Sequence, residues 1–159
     1  ATVANAEREG AERLARAQED AAMLKSRRLK LAELDSRKVI LAAKQQVIEK
    51  AYAQAETKIL NMTDNVYRDF IGAIVSRYAE DGDEILIAAR DVKRLHYDWV
   101  DGLNKKLHMN LTLSDRYHNG RGGVILTNAR YDKNLTVEML VAETRTQTEG
   151  EVAARLFKR

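Results

Sequence analysis

The sequence predicts an α+β protein, close to an α/β layering, in which a long coiled-coil helix precedes a small sheet packed with helices. Residues 1–61 contain no proline and one glycine, and they are rich in Ala, Glu, Arg, Lys, Leu and Gln, which are strong helix formers. Nearly all of the large aromatic side chains that a core needs lie beyond this segment, Tyr52 being the exception. We therefore predict a stalk helix over 1–61 and a globular α/β domain over 62–159.

The predicted stalk helix is too long to be covered by its own small domain. At a rise of about 1.5 Å per residue it would extend about 90 Å, whereas globular helices usually have three or four turns. Its apolar residues recur at steps of three and four, which places them on one stripe. Because isolated helices gain little from propensity alone, we expect a partner helix to cover this stripe. The predicted partner-helix seam consists of Leu14, Ala17, Ala21, Leu24, Leu31, Leu34, Leu41, Ile48 and Ala55.

The seam is less apolar than a leucine zipper. Arg28, Lys38, Gln45 and Tyr52 occupy positions on it, and alanine fills several others. This pattern indicates a loose or irregular coiled coil, and the drifting spacing leaves the hand of its supercoil open. The alternative is a lone solvated helix. The polar interruptions favour one half of a heterodimer over a self-sufficient zipper.

Positive charge is concentrated in the predicted stalk helix. Residues 1–61 carry 12 Lys and Arg against nine Asp and Glu, whereas residues 62–159 carry 15 of each. The stretch from residue 25 to residue 44 holds seven basic and two acidic residues. Such a stretch can bind nucleic acid or an anionic membrane surface, or it can be a solvated helix face. It contains no aromatic residue for base stacking, which favours the solvated face.

Turn signals and hydrophobic periodicity divide residues 62–159 into short elements. An order of helix, strand, helix, strands and helix indicates helices layered against a small sheet. In chain order we predict a helix from Thr63 or Asp64 to Tyr78, a buried strand at Glu84–Ala88, a helix capped by Asp91 and ending near Leu107, a strand through Met109–Leu113, a polar loop from Asp115 to Arg121, a strand at Gly122–Thr127, an extended segment at Tyr131–Val137 and a closing helix from Glu138 to Phe157.

No residue pattern points to a catalytic or metal site. The chain has no cysteine, which excludes disulfides and thiolate ligands. His96, His108 and His118 form neither a His-x-x-x-His nor a Glu-x-x-His pair, so we expect no zinc or di-iron site. Asp98 and Asp101 share one helix face and are interpreted as solvated charges. We predict no catalytic residue and no cofactor.

The segment Gly120–Gly123 superficially resembles a phosphate-binding loop. It lacks the Gly-Lys-Ser/Thr ending of such loops, and it precedes a predicted strand rather than a helix. We therefore interpret Gly122 and Gly123 as a structural turn at which the backbone needs positive φ.

An ordered set of motifs resembles the E subunit of the prokaryotic V-type and A-type rotary ATPases over essentially the whole chain. The individual motifs are not catalytic, and their order carries the resemblance. They are Arg37–Val47, Tyr67–Phe70, Leu111–Asp115, Gly122–Leu126, Asn134–Glu138, Glu149–Ala153 and Leu156–Phe157. Gly122 and Gly123 match the glycine pair of that family, and together with Leu156–Phe157 they argue against a bacterial F-type stator protein.

The resemblance implies a peripheral stalk, or stator, component of a proton- or sodium-translocating ATPase. Such a protein is not catalytic, is cytoplasmic and peripheral to the membrane, and forms a heterodimer with the G subunit of the stalk, called H or F in some systems. Its globular end binds the catalytic head of A and B subunits, and its N-terminal end reaches the soluble domain of the membrane stator subunit. Family members usually carry more residues at the N-terminus, so a truncated N-terminus is expected. The alternative is a basic coiled-coil module that binds nucleic acid or a membrane surface.

Overall fold

The computed structural model describes residues 2–158 and has the predicted α+β fold. A long helix precedes a small mixed sheet and three further helices. The helices are α1 (Thr2–Leu60), α2 (Asp64–Tyr78), α3 (Tyr97–Leu107) and α4 (Val137–Leu156), and the strands are β1 (Glu84–Ala88), β2 (Thr112–His118), β3 (Gly123–Thr127) and β4 (Asp132–Thr136).

The chain divides into two compact units, the first ending at Val47 and the second beginning at Ile48. Helix α1 contributes residues to both units. The sequence places the boundary at residues 61 and 62, where the composition changes. In the structure, Ile48, Tyr52 and Leu60 of α1, which precede that position, are buried.

The first unit is a helix whose described side chains, residues 2–47, are all exposed. Ion pairs one turn apart support it: Arg8 lies 3.3 Å from Glu12, and Arg37 lies 2.6 Å from Glu33. Each exposed pair of this kind adds only about 0.3–0.5 kcal/mol to helix stability. The helix therefore rests on propensity and on weak local pairs.

The second unit is built on a four-stranded sheet in the order β2-β1-β3-β4. Strands β1 and β2 are parallel and are connected through α3, whereas β1–β3 and β3–β4 are antiparallel. A parallel pair needs such a crossover because a tight turn reverses the chain direction and can join only antiparallel strands. The apolar side chains of the strands pack against the apolar faces of the helices and form one core. Its fully buried members include Tyr67, Ile71, Val75, Ile85, Leu95, Val124, Leu126 and Val137.

The helix over residues 64–78, the strand at Glu84–Ala88 and the closing helix are confirmed with nearly the predicted bounds. The polar loop predicted from Asp115 is wrong, because β2 continues to His118. This strand lies at the edge of the sheet, where polar and charged side chains can face solvent. Its polarity therefore conceals it from a search for apolar strands.

The predicted cap of the third element is also wrong. Asp91 ends a short 3-10 turn and is fully buried, and α3 begins only at Tyr97, with His96 at the N-cap position. Thr63 does occupy the N-cap position of α2, but its side chain makes no capping hydrogen bond.

Candidate partner interface

The first unit presents a row of large apolar side chains to solvent. The predicted seam leucines have between 52% and 61% of their surface exposed, and the seam alanines Ala17 and Ala21 are exposed as well. An apolar row of this length is unusual on a helix that has nothing to bind. The seam leucines of this unit are Leu14, Leu24, Leu31, Leu34 and Leu41.

The last two seam positions behave differently from each other. Ile48 retains only 6% of its surface because other residues of the second unit cover it. Ala55 is exposed. Tyr52, interpreted from the sequence as a polar interruption of the seam, is buried within the second unit. Helical spacing alone cannot distinguish a face covered by the same chain from one that needs a partner.

Helix α4 covers this part of α1 through polar contacts. The hydroxyls of Tyr52 and Thr148 lie 2.9 Å apart, and because the Thr148 hydroxyl already donates to the Thr144 carbonyl, Tyr52 is the donor. The guanidinium of Arg145 lies 5.6 Å from the centre of the Tyr52 ring and 3.7 Å from Glu49. These contacts join this part of α1 to α4 within the second unit.

The C-terminal end of α1 is held by Arg94. This guanidinium donates to the carbonyl oxygen of Leu60 at 3.1 Å, to the carbonyl oxygen of Met62, and to Asp64 Oδ1 at 2.9 Å. The last carbonyls of a helix have no partner within it and carry partial negative charge, so a cation here satisfies them in two ways. Arg90 adds a longer hydrogen bond of 3.4 Å to Leu60.

Beneath Arg94 lies a buried polar network. The Tyr67 hydroxyl donates to Asp91 Oδ2 at 2.7 Å and accepts from the backbone N–H of Gly123 at 2.7 Å. Arg94 lies 4.2 Å from the centre of the Tyr67 ring, and its Nη1 is 3.6 Å from Asp91 Oδ1. Burial, followed by the hydrogen bond to Asp91, raises the pKa of Tyr67 above its ordinary value. Tyr67 therefore stays neutral and keeps donating.

The predicted glycine pair lies against this network. Gly123 has φ of +83°, and a Cβ there would come within 2.6 Å of the Leu135 carbonyl oxygen. A Cβ on Gly122 would lie 2.5 Å from Leu60 Cδ2 and 2.8 Å from the Tyr67 hydroxyl. Gly123 therefore provides the positive φ of the turn, and Gly122 leaves room for the turn to approach the end of α1. The sequence indicates the first requirement but not the second.

The sequence offers little signal for the joint that Tyr67, Asp91 and Arg94 form with α1. These residues come from two separate elements and meet only in the folded chain. The one local sign is the spacing of three between Asp91 and Arg94, which is common among solvated charges. Their importance follows from burial, since Asp91 is fully buried.

Of the histidines and acids considered from the sequence, His96 and Asp98 are neighbours, with His96 Nδ1 4.0 Å from Asp98 Oδ1. His118 is buried, with Nδ1 accepting from the Gly120 N–H and Nε2 facing the Gly123 carbonyl, each at 3.0 Å. His96 is exposed, and His108 has φ of 55° at the C-cap of α3. Asp98 binds Arg68 at 2.6 Å, which lowers the pKa of that carboxyl. Asp101 is exposed.

The described part of the chain holds neither a metal cluster nor a membrane-spanning helix. Residues 2–158 contain no group of three or more His, Asp or Glu side chains placed to hold a metal ion. Over the same residues, no helix combines the length and the apolar character that crossing a bilayer requires.

The chain is similar to several proteins named as the E subunit of a rotary ATPase. It is 32% identical over 145 residues to the E subunit of the V-type proton ATPase of Clostridium botulinum (strain Eklund 17B / Type B), covering 89% of this chain and 74% of that protein. It is 32% identical over 124 residues to the E subunit of the V-type proton ATPase of Thermoanaerobacter pseudethanolicus, covering 74% of this chain and 62% of that relative.

A third relative carries the synthase form of the name. The E subunit of the V-type ATP synthase of Clostridium botulinum (strain Hall, Type A) is 32% identical over 123 residues, which cover 74% of this chain and 62% of that protein. No family model matches the chain. The chain thus spans between 62% and 74% of the length of these three relatives. It belongs to the family of the V-type ATPase E subunit.

Proposed function

We propose that this chain is a non-catalytic component of the peripheral stalk of a V- or A-type ATPase that translocates protons or sodium ions. Its first unit pairs with a second, helical stalk subunit of the G type, named H or F in some systems. Its second unit attaches this pair to the catalytic head of A and B subunits. The N-terminal end reaches the soluble domain of the membrane stator subunit, on the cytoplasmic side. In this role the chain keeps the head from rotating with the rotor.

The observation that carries the proposal is the exposed leucine row of the first unit. Burying one leucine side chain stabilises an association by about 1.5–3 kcal/mol relative to leaving it in water. Five leucines lie on this row, and each has more than half of its surface exposed. A second helix with a matching apolar stripe would bury them together, as in a coiled coil.

The second unit supports the role of a strut through the way it holds the end of α1. Arg94 satisfies the carbonyl oxygens at the end of α1, and the carboxylate of Asp64 completes its hydrogen bonding. A force along the helix would therefore act on a charged, hydrogen-bonded joint rather than on a flexible linker. A stator needs such a joint because it must resist torque.

Co-expression with a helical stalk subunit of the G type tests the proposal. Size-exclusion chromatography with mass measurement should give a one-to-one heterodimer. The matched variants are Leu24→Ser/Leu31→Ser in the leucine row and Val39→Ser/Ile40→Ser, two exposed apolar residues outside the predicted seam. The first pair should abolish the heterodimer and the second should leave most of it. A monomer that ignores the helical stalk protein would refute the proposal.

The basic stretch supports a second candidate function, a coiled-coil module for nucleic acid or an anionic membrane surface. It predicts binding that weakens steeply as salt rises. Filter binding of duplex DNA before and after charge reversal within residues 25–44 measures this directly. We expect no binding that survives physiological salt.

A further inference from the structure

Both acidic residues of the basic stretch, residues 25–44, are already paired within the helix. Glu33 lies 2.6 Å from Arg37, and Asp35 lies 3.8 Å from Lys38. The two carboxylates of this stretch are therefore paired with two cations of its C-terminal half, Arg37 and Lys38. Its N-terminal half keeps an excess of positive charge.

Four cations in that N-terminal half have no ion-pair partner among residues 2–158. All four are exposed, and they span less than two helical turns. Like charges so close together repel one another, which disfavours the isolated helix by a few tenths of a kcal/mol for each neighbouring pair. An anionic partner would remove this repulsion. The four cations are Lys25, Arg27, Arg28 and Lys30.

Two of these cations border an apolar groove on the helix surface. The groove lies between successive turns, and its apolar side chains are all exposed. Asp20 lies at its N-terminal end. The apolar members are Met23, Leu24, Leu31 and Leu34, and the cations are Arg27 and Lys30.

We infer that this groove binds an amphipathic helix of the partner stalk protein, and that acidic side chains flank the apolar stripe of that helix. The inference rests on the proposed function and specifies the chemistry of the partner at this site. Leucines of the partner would cover the groove, while its Glu or Asp side chains would meet Arg27 and Lys30. Charges beside a coiled-coil seam select the partner and its orientation, so this segment sets the pairing register.

The composition of the groove disfavours the other anionic partners. A nucleic acid would neutralise Arg27 and Lys30 but would leave four large apolar side chains in water, and the segment has no aromatic residue on which bases could stack. A helix that lies on a membrane needs one broad apolar face, usually with aromatic anchors. Here Leu29 and Val39 are exposed outside the groove. An acidic helix accounts for both the charge and the narrow apolar strip.

Two synthetic helical peptides test the inference with the full chain. Both have about four heptads with leucine at the seam positions, and they differ only in carrying Glu or Lys at the flanking positions. Fluorescence anisotropy at low salt should show that the Glu peptide binds at least about tenfold more tightly than the Lys peptide. The variant Arg27→Glu/Lys30→Glu should reverse this preference.

The matched control is Lys50→Glu/Lys58→Glu, which changes the net charge equally at two exposed positions outside the groove and outside the four-cation set. It should keep the preference for the Glu peptide. Circular dichroism of both variants checks that the helix persists. Equal affinity for the two peptides, or an equal loss of the preference in both variants, would overturn the inference.

Duplex DNA and phosphatidylserine vesicles form the remaining arms. If either one binds more tightly than the Glu peptide and this binding is lost in Arg27→Glu/Lys30→Glu, the ligand of the groove is a polyanion and not an acidic helix. A failed charge preference is distinguishable from a failed stalk assignment. In the first case the co-expressed helical stalk protein still forms the heterodimer, and in the second case it does not.

Discussion

Helix α1 presents two surfaces of different kinds along one continuous element. Between residues 2 and 47 every described side chain is exposed, whereas Ile48, Tyr52 and Leu60 on the same helix are buried. Both stretches consist of similar helix-forming residues. The difference lies in what covers them, since the second unit covers its own part of the helix and no described residue covers the first.

Forming a helix and packing its apolar face are therefore separate steps. Propensity is sufficient to specify helix from Thr2 to Leu60. Lasting stability comes from packing an apolar face, and only the second unit supplies that packing among the described residues of the chain. Substitutions in the second unit should therefore lower the stability of the isolated chain, whereas those in the first unit should affect partner binding.

The largest expected effect belongs to Gly123→Ala. The new Cβ would lie 2.6 Å from a backbone oxygen at a residue whose φ is +83°, so both overlap and backbone strain oppose it. We expect a loss of about 3 kcal/mol or more in the free energy of unfolding. Urea denaturation measures it. Gly82→Ala is the control, with φ of +87° but no atom within 4 Å, and should cost about 1–2 kcal/mol. Equal losses would contradict the close approach.

The next effect belongs to Arg94→Ala. Removing this guanidinium leaves the Leu60 carbonyl with one long hydrogen bond and takes the nearer cation from the buried Asp91. We expect a loss of about 3 kcal/mol, because a buried charge without its partner is costly. Thermal unfolding measures the loss. The control Arg68→Ala breaks an ion pair with an exposed Asp98 and should cost at most about 1 kcal/mol. A similar loss of stability in both variants would mean that Arg94 does not hold the C-terminal end of α1.

A pair of substitutions on α1 itself tests the comparison next. Ile48→Ala should lower the free energy of unfolding by about 2 kcal/mol, because it opens a cavity at a buried site. Leu31→Ala should change it by less than about 0.5 kcal/mol, because that side chain is already exposed in the isolated chain. With the helical partner present, Leu31→Ala should weaken the complex. Equal destabilisation of the isolated chain would remove the distinction between the two surfaces.

The smallest expected effect is the acid sensitivity of the second unit. A hydrogen bond from Lys133 lowers the pKa of Glu80, and one from Arg68 lowers the pKa of Asp98. Carboxyls with a depressed folded-state pKa stabilise the fold above their ordinary pKa, which is about 4, and this stability is lost as the pH falls through the folded-state value.

Thermal melts between pH 5 and pH 2 test this effect. Glu80→Gln and Asp98→Asn should each reduce the loss of melting temperature on acidification, by a small amount because both carboxyls are largely exposed. Glu19→Gln in the first unit is the control, since Glu19 has no ion-pair partner among residues 2–158. An acid response that is the same in all three variants would show that these pairs contribute nothing.

The fold class could be predicted because its elements have strong local patterns. The strand at Glu84–Ala88 is a short apolar run between turns, and α2 repeats its apolar residues with helical spacing. Strand β2 could not be predicted beyond residue 113 because an edge strand tolerates polar residues. Local patterns thus report the buried elements well and the edge of the sheet poorly.

The candidate interface could be predicted only in part. The leucines from Leu14 to Leu41 follow a helical spacing, and the structure leaves them exposed. Ile48 continues the same spacing but is buried by the second unit, a difference that depends on tertiary packing. In the sequence, Asp91 is of a residue type that commonly caps helices. In the fold it instead accepts a hydrogen bond from Tyr67, which lies 24 residues away along the chain.

Hydrogen exchange of the backbone amides tests the central claim most directly. In the isolated chain, we expect amides of residues 2–47 to exchange much faster than those of the buried strands β1 and β3, because the first unit lacks packing. Adding the helical stalk protein should slow exchange across residues 2–47 and leave the second unit nearly unchanged. Strong protection of residues 2–47 in the isolated chain, or no added protection in the complex, would contradict the account.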